Sequence, residues 1–262
     1  MAKWQFMAEL RFFTGTMDSG KSTLAMQMDY NLAHNGHAGL VFTAHDRGGT
    51  ARITSRIGLE TTAIEVGPEF DFYQFISEYP ADVIGLGHAA ALNSSESRNL
   101  ATATGEASGT QGGMGASDGT GATPHPDRPL EYLVCDEAQF YTPAQIDQLA
   151  RVVDDFGLDV FAFGLTTDFR ARLFPGSARL LELADQVDLL QLRTLCWCGA
   201  RGTHNARKVN GEMVVEGDLV VLGDTKDDGT SDAGAGTMTA TEVTYEVLCR
   251  AHHMRREVSA SH

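Results

Sequence analysis

Short apolar runs alternate with stretches of helical periodicity along the first 195 residues of the chain. The apolar runs predict buried strands over residues 10–13, 40–43, 64–66, 130–136, 158–165 and 187–195. Apolar side chains at spacings of three and four predict helices over residues 22–34, 70–78, 143–156 and 177–184. Strands that alternate with helices indicate an α/β fold, with a mostly parallel sheet flanked by helices on both faces.

The texture of the sequence changes after residue 195, where cysteines, glycines and short β-like runs replace the alternating pattern. We therefore expect a larger domain over residues 1–195 and a smaller one over residues 196–262. Within the larger domain, residues 89–129 are low in complexity, and 15 of the 19 residues from 105 to 123 are Gly, Ala, Ser or Thr. Such a stretch cannot bury enough apolar surface to offset its ordering entropy, so we expect a disordered surface insertion without a chemical role.

The charge of the chain restricts its partners. Its 262 residues carry 35 acidic and 20 basic side chains, which gives a formal net charge of −15 at pH 7. Such a surface repels phosphate backbones, so we expect no nucleic acid as a partner. The sequence has no apolar run of ~18 residues, and its first residues lack the apolar core of a signal peptide. We therefore expect no membrane span and a cytoplasmic location.

Residues 15–22 read G-T-M-D-S-G-K-S, a complete phosphate-binding loop of the G-x-x-x-x-G-K-S type. The loop lies between the first predicted strand and the first predicted helix, which is the context that this motif requires. Its backbone N–H groups can approach a phosphate closely, Lys21 can reach the β- and γ-phosphates, and the Ser22 hydroxyl can hold Mg²⁺. The predicted cofactor-binding residues of the loop are Gly15, Thr16, Met17, Asp18, Ser19, Gly20, Lys21 and Ser22.

Two acids, Asp136 and Glu137, stand at the end of the apolar run over residues 130–136. An acid at the end of a strand beside a phosphate loop orients Mg²⁺ or its waters, and we predict this role for Asp136. Glu137 then lies at the mouth of the site and can take a proton from an attacking hydroxyl or water. The sequence D-E-A-Q also occurs in helicases, but a helicase needs two nucleotide-binding folds and a basic track. This acidic chain has one phosphate loop.

Three of the four cysteines and a histidine form two close pairs. Cys196 and Cys198 make a C-x-C pair, and Cys249 and His252 make a C-x-x-H pair about fifty residues later. Three thiolates and one imidazole are an ordinary tetrahedral set for structural zinc, so we predict these four residues as metal ligands. The C-x-C spacing is tighter than the usual C-x₂-C, and His253 is an alternative to His252 as the fourth ligand.

Together these motifs resemble the type II, cytosolic-type thymidine kinases of bacteria. The resemblance rests on M-x-S-G-K-S in the phosphate loop, D-E-A-Q-F at residues 136–140 and the C-terminal zinc pairs, and it covers most of the chain outside residues 89–129 and 224–241. It implies a P-loop, RecA-like nucleoside kinase core and a small zinc-binding lasso domain. It also implies transfer of the γ-phosphoryl group of ATP to the 5′-hydroxyl of deoxythymidine, giving dTMP and ADP, with Mg²⁺ and a structural Zn²⁺.

The same resemblance implies roles for single residues. Glu137 is the base that accepts the 5′-hydroxyl proton, and Asp136 acts on the Mg²⁺ shell. Asp46 and Arg47 match a family segment near the metal and the phosphates; if Arg47 matches the family's arginine, the family's aspartate falls on His45. The pocket for the thymine base is formed by Met17, Gln139, Phe140, Leu165, Phe169 and Phe174. The lasso contributes Thr203, Arg207, Val220, Val221, Leu222, Gly223 and Tyr245.

Compared with the family, the lasso of this chain carries an insertion before Tyr245. Family members are commonly homotetramers and some are inhibited by dTTP, so the resemblance implies both properties here. Two other functions stay open on the residues alone. One is a P-loop ATPase in which Glu137 activates water, and the other is a non-catalytic nucleotide sensor. A second, base-sized pocket argues against both, because neither needs one.

Overall fold

A parallel sheet of six strands forms the centre of the fold. The computed structural model describes residues 8–44, 52–55, 57–79, 130–190, 194–217 and 242–259. Its strands are β1 (Leu10–Gly15), β2 (Ala38–Thr43), β3 (Arg52–Thr54), β4 (Glu60–Thr62), β5 (Ile64–Glu65), β6 (Leu130–Asp136), β7 (Asp159–Leu165), β8 (Gln186–Leu189), β9 (His204–Val209), β10 (Glu212–Val214) and β11 (Val243–Leu248). Its helices are α1 (Lys21–His34), α2 (Phe72–Ser77), α3 (Pro143–Phe156), α4 (Pro175–Leu183) and α5 (Arg250–Arg255).

The order of strands in the central sheet is β5-β2-β6-β7-β1-β8, and every neighbouring pair is parallel. Successive side chains of a strand point to opposite faces, so Phe12 and Leu133 belong to the core with α2, α3 and α4, whereas Phe13 and Val134 pack on the α1 side. Apolar residues fill both faces, and the predicted α/β class is confirmed. The parallel arrangement also brings the carboxyl ends of β1, β6 and β7 to one edge, where the predicted chemistry lies.

Helix α3 shows how local sequence signals set an element. Thr142 accepts a hydrogen bond from the Gln145 backbone N–H, and the Gln145 side chain accepts one from the Thr142 N–H, which makes a reciprocal cap. Pro143 occupies the first turn, where its missing N–H costs nothing. Gly157 ends the helix with a φ of 67°, a left-handed conformation that favours glycine. Ile146 and Leu149 on the inner face are fully buried.

A second sheet follows residue 195, with the antiparallel order β10-β9-β11. Its small core contains Cys196, Ala206 and Leu248, and α5 follows β11 directly. β9 was not predicted, because its sequence is mostly polar and two of its polar side chains are buried. The antiparallel hairpin of β3 and β4 was not predicted either, since each strand has three residues.

The strand predicted over residues 187–195 is shorter than expected. β8 ends at Leu189, and Leu195 instead forms an isolated antiparallel bridge with Arg201. The low-complexity stretch at residues 89–129 lies outside the described residues, and so do residues 219–222, one of the short β-like runs after residue 195. Within the described part of the chain, no helix combines the length and the apolar character needed to cross a bilayer.

Candidate active site

The phosphate loop connects the end of β1 at Gly15 to the start of α1 at Lys21. Gly20 has a φ of 77°, and a Cβ atom at Gly15 would lie 2.5 Å from the Ser19 hydroxyl, so both glycines are needed for this turn. Asp18 also has a positive φ, of 62°. The Lys21 ammonium donates a hydrogen bond of 2.8 Å to the Thr16 carbonyl, which holds the lysine over the loop. The backbone N–H groups at the start of α1 make this loop suited to an anion.

Asp136 is the last residue of β6 and is only 3% exposed. Burial raises its pKa to about 7, and the neighbouring charge of Glu137 acts in the same direction. A hydrogen bond from the Ser22 side chain and the charge of Lys21 act in the opposite direction. The acid therefore meets the phosphate loop at the two residues expected to hold the metal and the phosphates. A carboxylate beside a hydroxyl is a donor set that fits Mg²⁺.

Glu137 begins the turn after β6 with a φ of 51°, a left-handed conformation that is rare for a non-glycine residue. The side-chain amide N–H of Gln139 donates a hydrogen bond to the Glu137 carboxylate. The amide oxygen of Gln139 accepts a hydrogen bond of 2.9 Å from the Leu165 N–H. A Cβ atom at Gly164 would lie 2.8 Å from this amide oxygen, so a glycine makes room for it. The glutamate predicted as base is thus tied through one glutamine to the end of β7.

Gln139 was predicted to contact the substrate, and the structure adds a second use for it. Its side chain is 1% exposed, and both ends of its amide bind within the protein. No signal in the sequence pointed to this bridge, because Leu165 lies 26 positions further along the chain.

The aromatic residues predicted for the base pocket make two sets of contacts. Phe140 and Phe174 meet edge to face with their ring centres 5.6 Å apart, and Phe174 is buried. The ring of Phe169 lies 4.0 Å from the guanidinium carbon of Arg207, whose Nε donates a hydrogen bond of 2.9 Å to the Tyr245 hydroxyl. The segment between β7 and α4 therefore meets the second sheet at Phe169, as a thymine pocket between the two would require.

Thr203 and Met17 lie where the phosphate loop meets the second sheet. The Thr203 hydroxyl is 2.9 Å from the His204 ring, and Thr203 lines a cavity of about 160 Å³ that also borders Gly15 and Thr16. The Met17 N–H donates a hydrogen bond of 2.9 Å to the Asn205 side chain. Asn205 was not singled out from the sequence. The predicted residues Asp46, Arg47, Val220, Val221, Leu222 and Gly223 lie outside the described residues.

The four predicted metal ligands come together in space. The candidate ligand atoms of Cys196, Cys198, Cys249 and His252 all lie within 4.8 Å of one another. His252 Nδ1 is 3.3 Å from the Cys196 sulfur and 3.5 Å from the Cys249 sulfur. Backbone N–H groups at the start of α5, with that of His252 contributing most, lower the pKa of the Cys249 thiol. Sulfur and imidazole ligands in this arrangement are compatible with zinc.

His253 does not join this cluster. Its side chain is buried, and its Nε2 atom forms a hydrogen bond of 3.0 Å with the Phe169 carbonyl. The ring of His252 is covered by Trp197, with 4.2 Å between the ring centres. Of the two histidines left open by the sequence, His252 is therefore the one beside the cysteines, and His253 anchors α5 to the segment that carries Phe169.

Comparison with known proteins gives a consistent result. The family model described as thymidine kinase matches residues 122–253. A protein of Streptomyces avermitilis named thymidine kinase is 46% identical over 255 residues, which cover 97% of this chain and 93% of that protein. A Streptomyces coelicolor protein with the same name has the same identity and coverage. A Cutibacterium acnes protein of that name is 46% identical over 247 residues, covering 94% of this chain and 88% of the relative.

Proposed function

Because this chain belongs to the thymidine kinase family, we propose that it transfers the γ-phosphoryl group of ATP to the 5′-hydroxyl of deoxythymidine. The products are dTMP and ADP. The observation that carries this proposal is the contact between the acid pair and the phosphate loop, with Asp136 next to Ser22 and Lys21 and with Glu137 following it directly. A proton acceptor next to a phosphate-binding loop supports the proposal, because phosphoryl transfer to a hydroxyl requires such an arrangement.

In the proposed reaction the loop at residues 15–22 binds the phosphates of ATP through its backbone N–H groups. Lys21 neutralises charge on the transferred group. Ser22 and Asp136 would hold Mg²⁺, which supplies further neutralisation of phosphate charge when bound. Glu137 accepts the proton of the 5′-hydroxyl as that oxygen attacks the γ-phosphorus, and Gln139 keeps the carboxylate in one orientation. Positioning and charge neutralisation provide most of the catalysis.

For the acceptor, we propose a pocket whose walls are Phe140, Phe174 and Phe169, with Tyr245 and Arg207 on the side of the second sheet. Flat, apolar rings suit a flat base that carries a methyl group. The remaining proposed contacts are those of Met17, Leu165, Thr203 and the stretch 220–223. Cys196, Cys198, Cys249 and His252 would hold a structural Zn²⁺, which would join the segment at residues 196–198 to the start of α5. A homotetramer, inhibition by dTTP and a cytoplasmic location belong to the same proposal by family resemblance.

The variant Glu137→Gln tests the role of the base. It preserves the size of the side chain and removes its basicity, so we expect kcat to fall by about 10²- to 10⁴-fold while the affinity for ATP stays within about twofold. The control is Glu131→Gln, which changes a partly exposed glutamate on the same strand that pairs with His37. We expect that control to keep the parent's kcat. A Glu137→Gln variant with the parent's kcat would contradict the assigned role.

A further inference from the structure

Two side-chain hydrogen bonds join the phosphate loop to the segment that carries the metal-binding cluster. The Asn205 side-chain oxygen accepts the Met17 N–H at 2.9 Å, and the hydroxyls of Thr16 and Thr194 are 2.7 Å apart. Between the two sides lies the cavity of about 160 Å³, bordered by hydroxyl groups and glycines as well as by apolar side chains. These two hydrogen bonds therefore hold the loop to this segment across the cavity.

The peptide unit between Thr16 and Met17 is bound at both of its polar ends. Its carbonyl accepts the hydrogen bond from the Lys21 ammonium at 2.8 Å, and its N–H donates to Asn205. The orientation of this peptide therefore determines where Lys21 is held. The next residue, Asp18, has a φ of 62°, which is unfavourable for a non-glycine residue unless its surroundings enforce it. The hydrogen bond from the Met17 N–H to the Asn205 side chain restricts the backbone directly before Asp18 in this way.

Asn205 itself is well held. Its side chain is 4% exposed, its amide group donates a hydrogen bond of 3.4 Å to the Thr167 carbonyl after β7, and its backbone pairs with Val247 in β11. At the end of the pairing between β9 and β11, the Thr203 N–H donates a hydrogen bond of 2.9 Å to the Leu248 carbonyl. Leu248 directly precedes Cys249, a residue of the metal-binding cluster. The side chain that binds the loop thus belongs to the sheet whose strand β11 leads directly into Cys249.

We propose that Asn205 is a positioning residue for the phosphate-binding loop. Through the peptide between Thr16 and Met17, it sets the loop conformation in which Lys21 and the backbone N–H groups meet the phosphates of the nucleotide. Nucleotide binding therefore depends on the second sheet as well as on the parallel sheet that contains the loop. The inference rests on the proposed function in one respect, which is that the loop binds a nucleoside diphosphate or triphosphate.

The test is calorimetric titration of the full-length protein with ADP and Mg²⁺, without any nucleoside. We expect Asn205→Ala to weaken ADP binding by about threefold to tenfold, as for the loss of one buried hydrogen bond. The matched control is Lys208→Ala, which breaks the ion pair of 3.2 Å with Glu246 between the same two strands, away from the loop. This control should bind ADP as the parent does. Zinc content and circular dichroism of each variant are measured alongside, to show that the fold is retained.

If Asn205→Ala does not fold, Thr194→Val provides the second test, because it removes the other hydrogen bond with little change of shape. We expect it to weaken ADP binding by about twofold to fivefold. Parent-like affinity in the folded variants, or an equal loss in Lys208→Ala, would overturn the proposal. A parent chain that binds no ADP at all would overturn both this inference and the proposed use of ATP, which separates the two kinds of failure.

Discussion

Replacing Asp136 with asparagine is expected to stabilise the protein at pH 8 when nucleotide and metal are absent, although the variant should lose most of its activity. The native carboxyl group is almost fully buried and lies next to a second acid, and these two causes raise its pKa to about 7. The hydrogen bond from Ser22 and the charge of Lys21 offset only part of this effect. Asparagine has nearly the same shape and can still accept a hydrogen bond, but it carries no charge that burial disfavours.

The magnitude follows from the pKa. In the unfolded chain an aspartate titrates near 4, so between about pH 4 and pH 7 the folded protein binds more protons than the unfolded chain. The free energy of unfolding therefore falls as the pH rises through this window. A shift of about three pKa units corresponds to at most ~4 kcal/mol, fully developed above pH 7. Asp136→Asn does not titrate and escapes this loss, so it should gain up to ~4 kcal/mol over the parent between pH 4 and pH 8.

The assay is urea denaturation of the parent and the variant at pH 5 and pH 8, with a chelator present and without nucleotide or Mg²⁺. The chelator is chosen and dosed so that any metal at the cluster of Cys196, Cys198, Cys249 and His252 is retained. Asp154→Asn is the control, since it makes the same substitution at an exposed residue of α3, where burial does not disfavour a charge. If the free energy of unfolding of Asp136→Asn relative to the parent is the same at both pH values, or decreases toward pH 8, then Asp136 does not carry the electrostatic strain assigned to it.

Two further predictions concern the hydrogen bonds of Gln139 to Glu137 and Leu165, and the cluster of candidate metal ligands. Gln139→Glu replaces the donor to Glu137 with a second carboxyl group, and since two adjacent carboxyls resist joint ionisation, the acid limb of the pH–kcat profile should move to higher pH. The control is Gln27→Glu on the exposed side of α1, which should have the parent's pH–kcat profile. If Gln139→Glu also has the parent's profile, the hydrogen bond from Gln139 to Glu137 does not influence the base. Cys249→Ser should bind much less zinc than the parent and unfold at a lower temperature. The control Cys135→Ala, at a buried cysteine outside the cluster, should bind as much zinc as the parent. Equal zinc content in the parent and Cys249→Ser would exclude the cluster as the metal site.

Elements whose signals are local could be predicted from the sequence. Helix α3 has a capping residue at Thr142, a proline at its first position and a glycine after its end, and each acts within a few residues. The loop at residues 15–22 is equally local, because one short segment supplies both the glycines and the lysine. The segment that forms β6 is buried on both faces, so its sequence is a largely apolar run, which predicts a strand. The end of that run also predicted the position of Asp136 at the end of the strand.

Features that depend on distant partners could not be predicted. β9 buries Asn205 and Arg207, whose polar groups are satisfied by Met17 and Tyr245 from other parts of the chain, so the strand shows no apolar alternation. The bridge through Gln139 is hidden for the same reason. The choice between His252 and His253 needed the structure as well, since adjacent helical residues point about 100° apart and the sequence does not say which direction faces the cysteines.

The most direct test of the proposed function is a nucleoside panel with Mg²⁺ and ATP, in which monophosphate and ADP are both quantified. Thymidine, deoxyuridine, deoxycytidine and deoxyguanosine are compared under the same conditions. We expect thymidine to yield dTMP and ADP in equal amounts, and deoxycytidine and deoxyguanosine to yield little product. ADP without any nucleoside monophosphate would indicate hydrolysis of ATP by water, and the absence of both products would indicate a nucleotide-binding protein without turnover; either result would contradict the account.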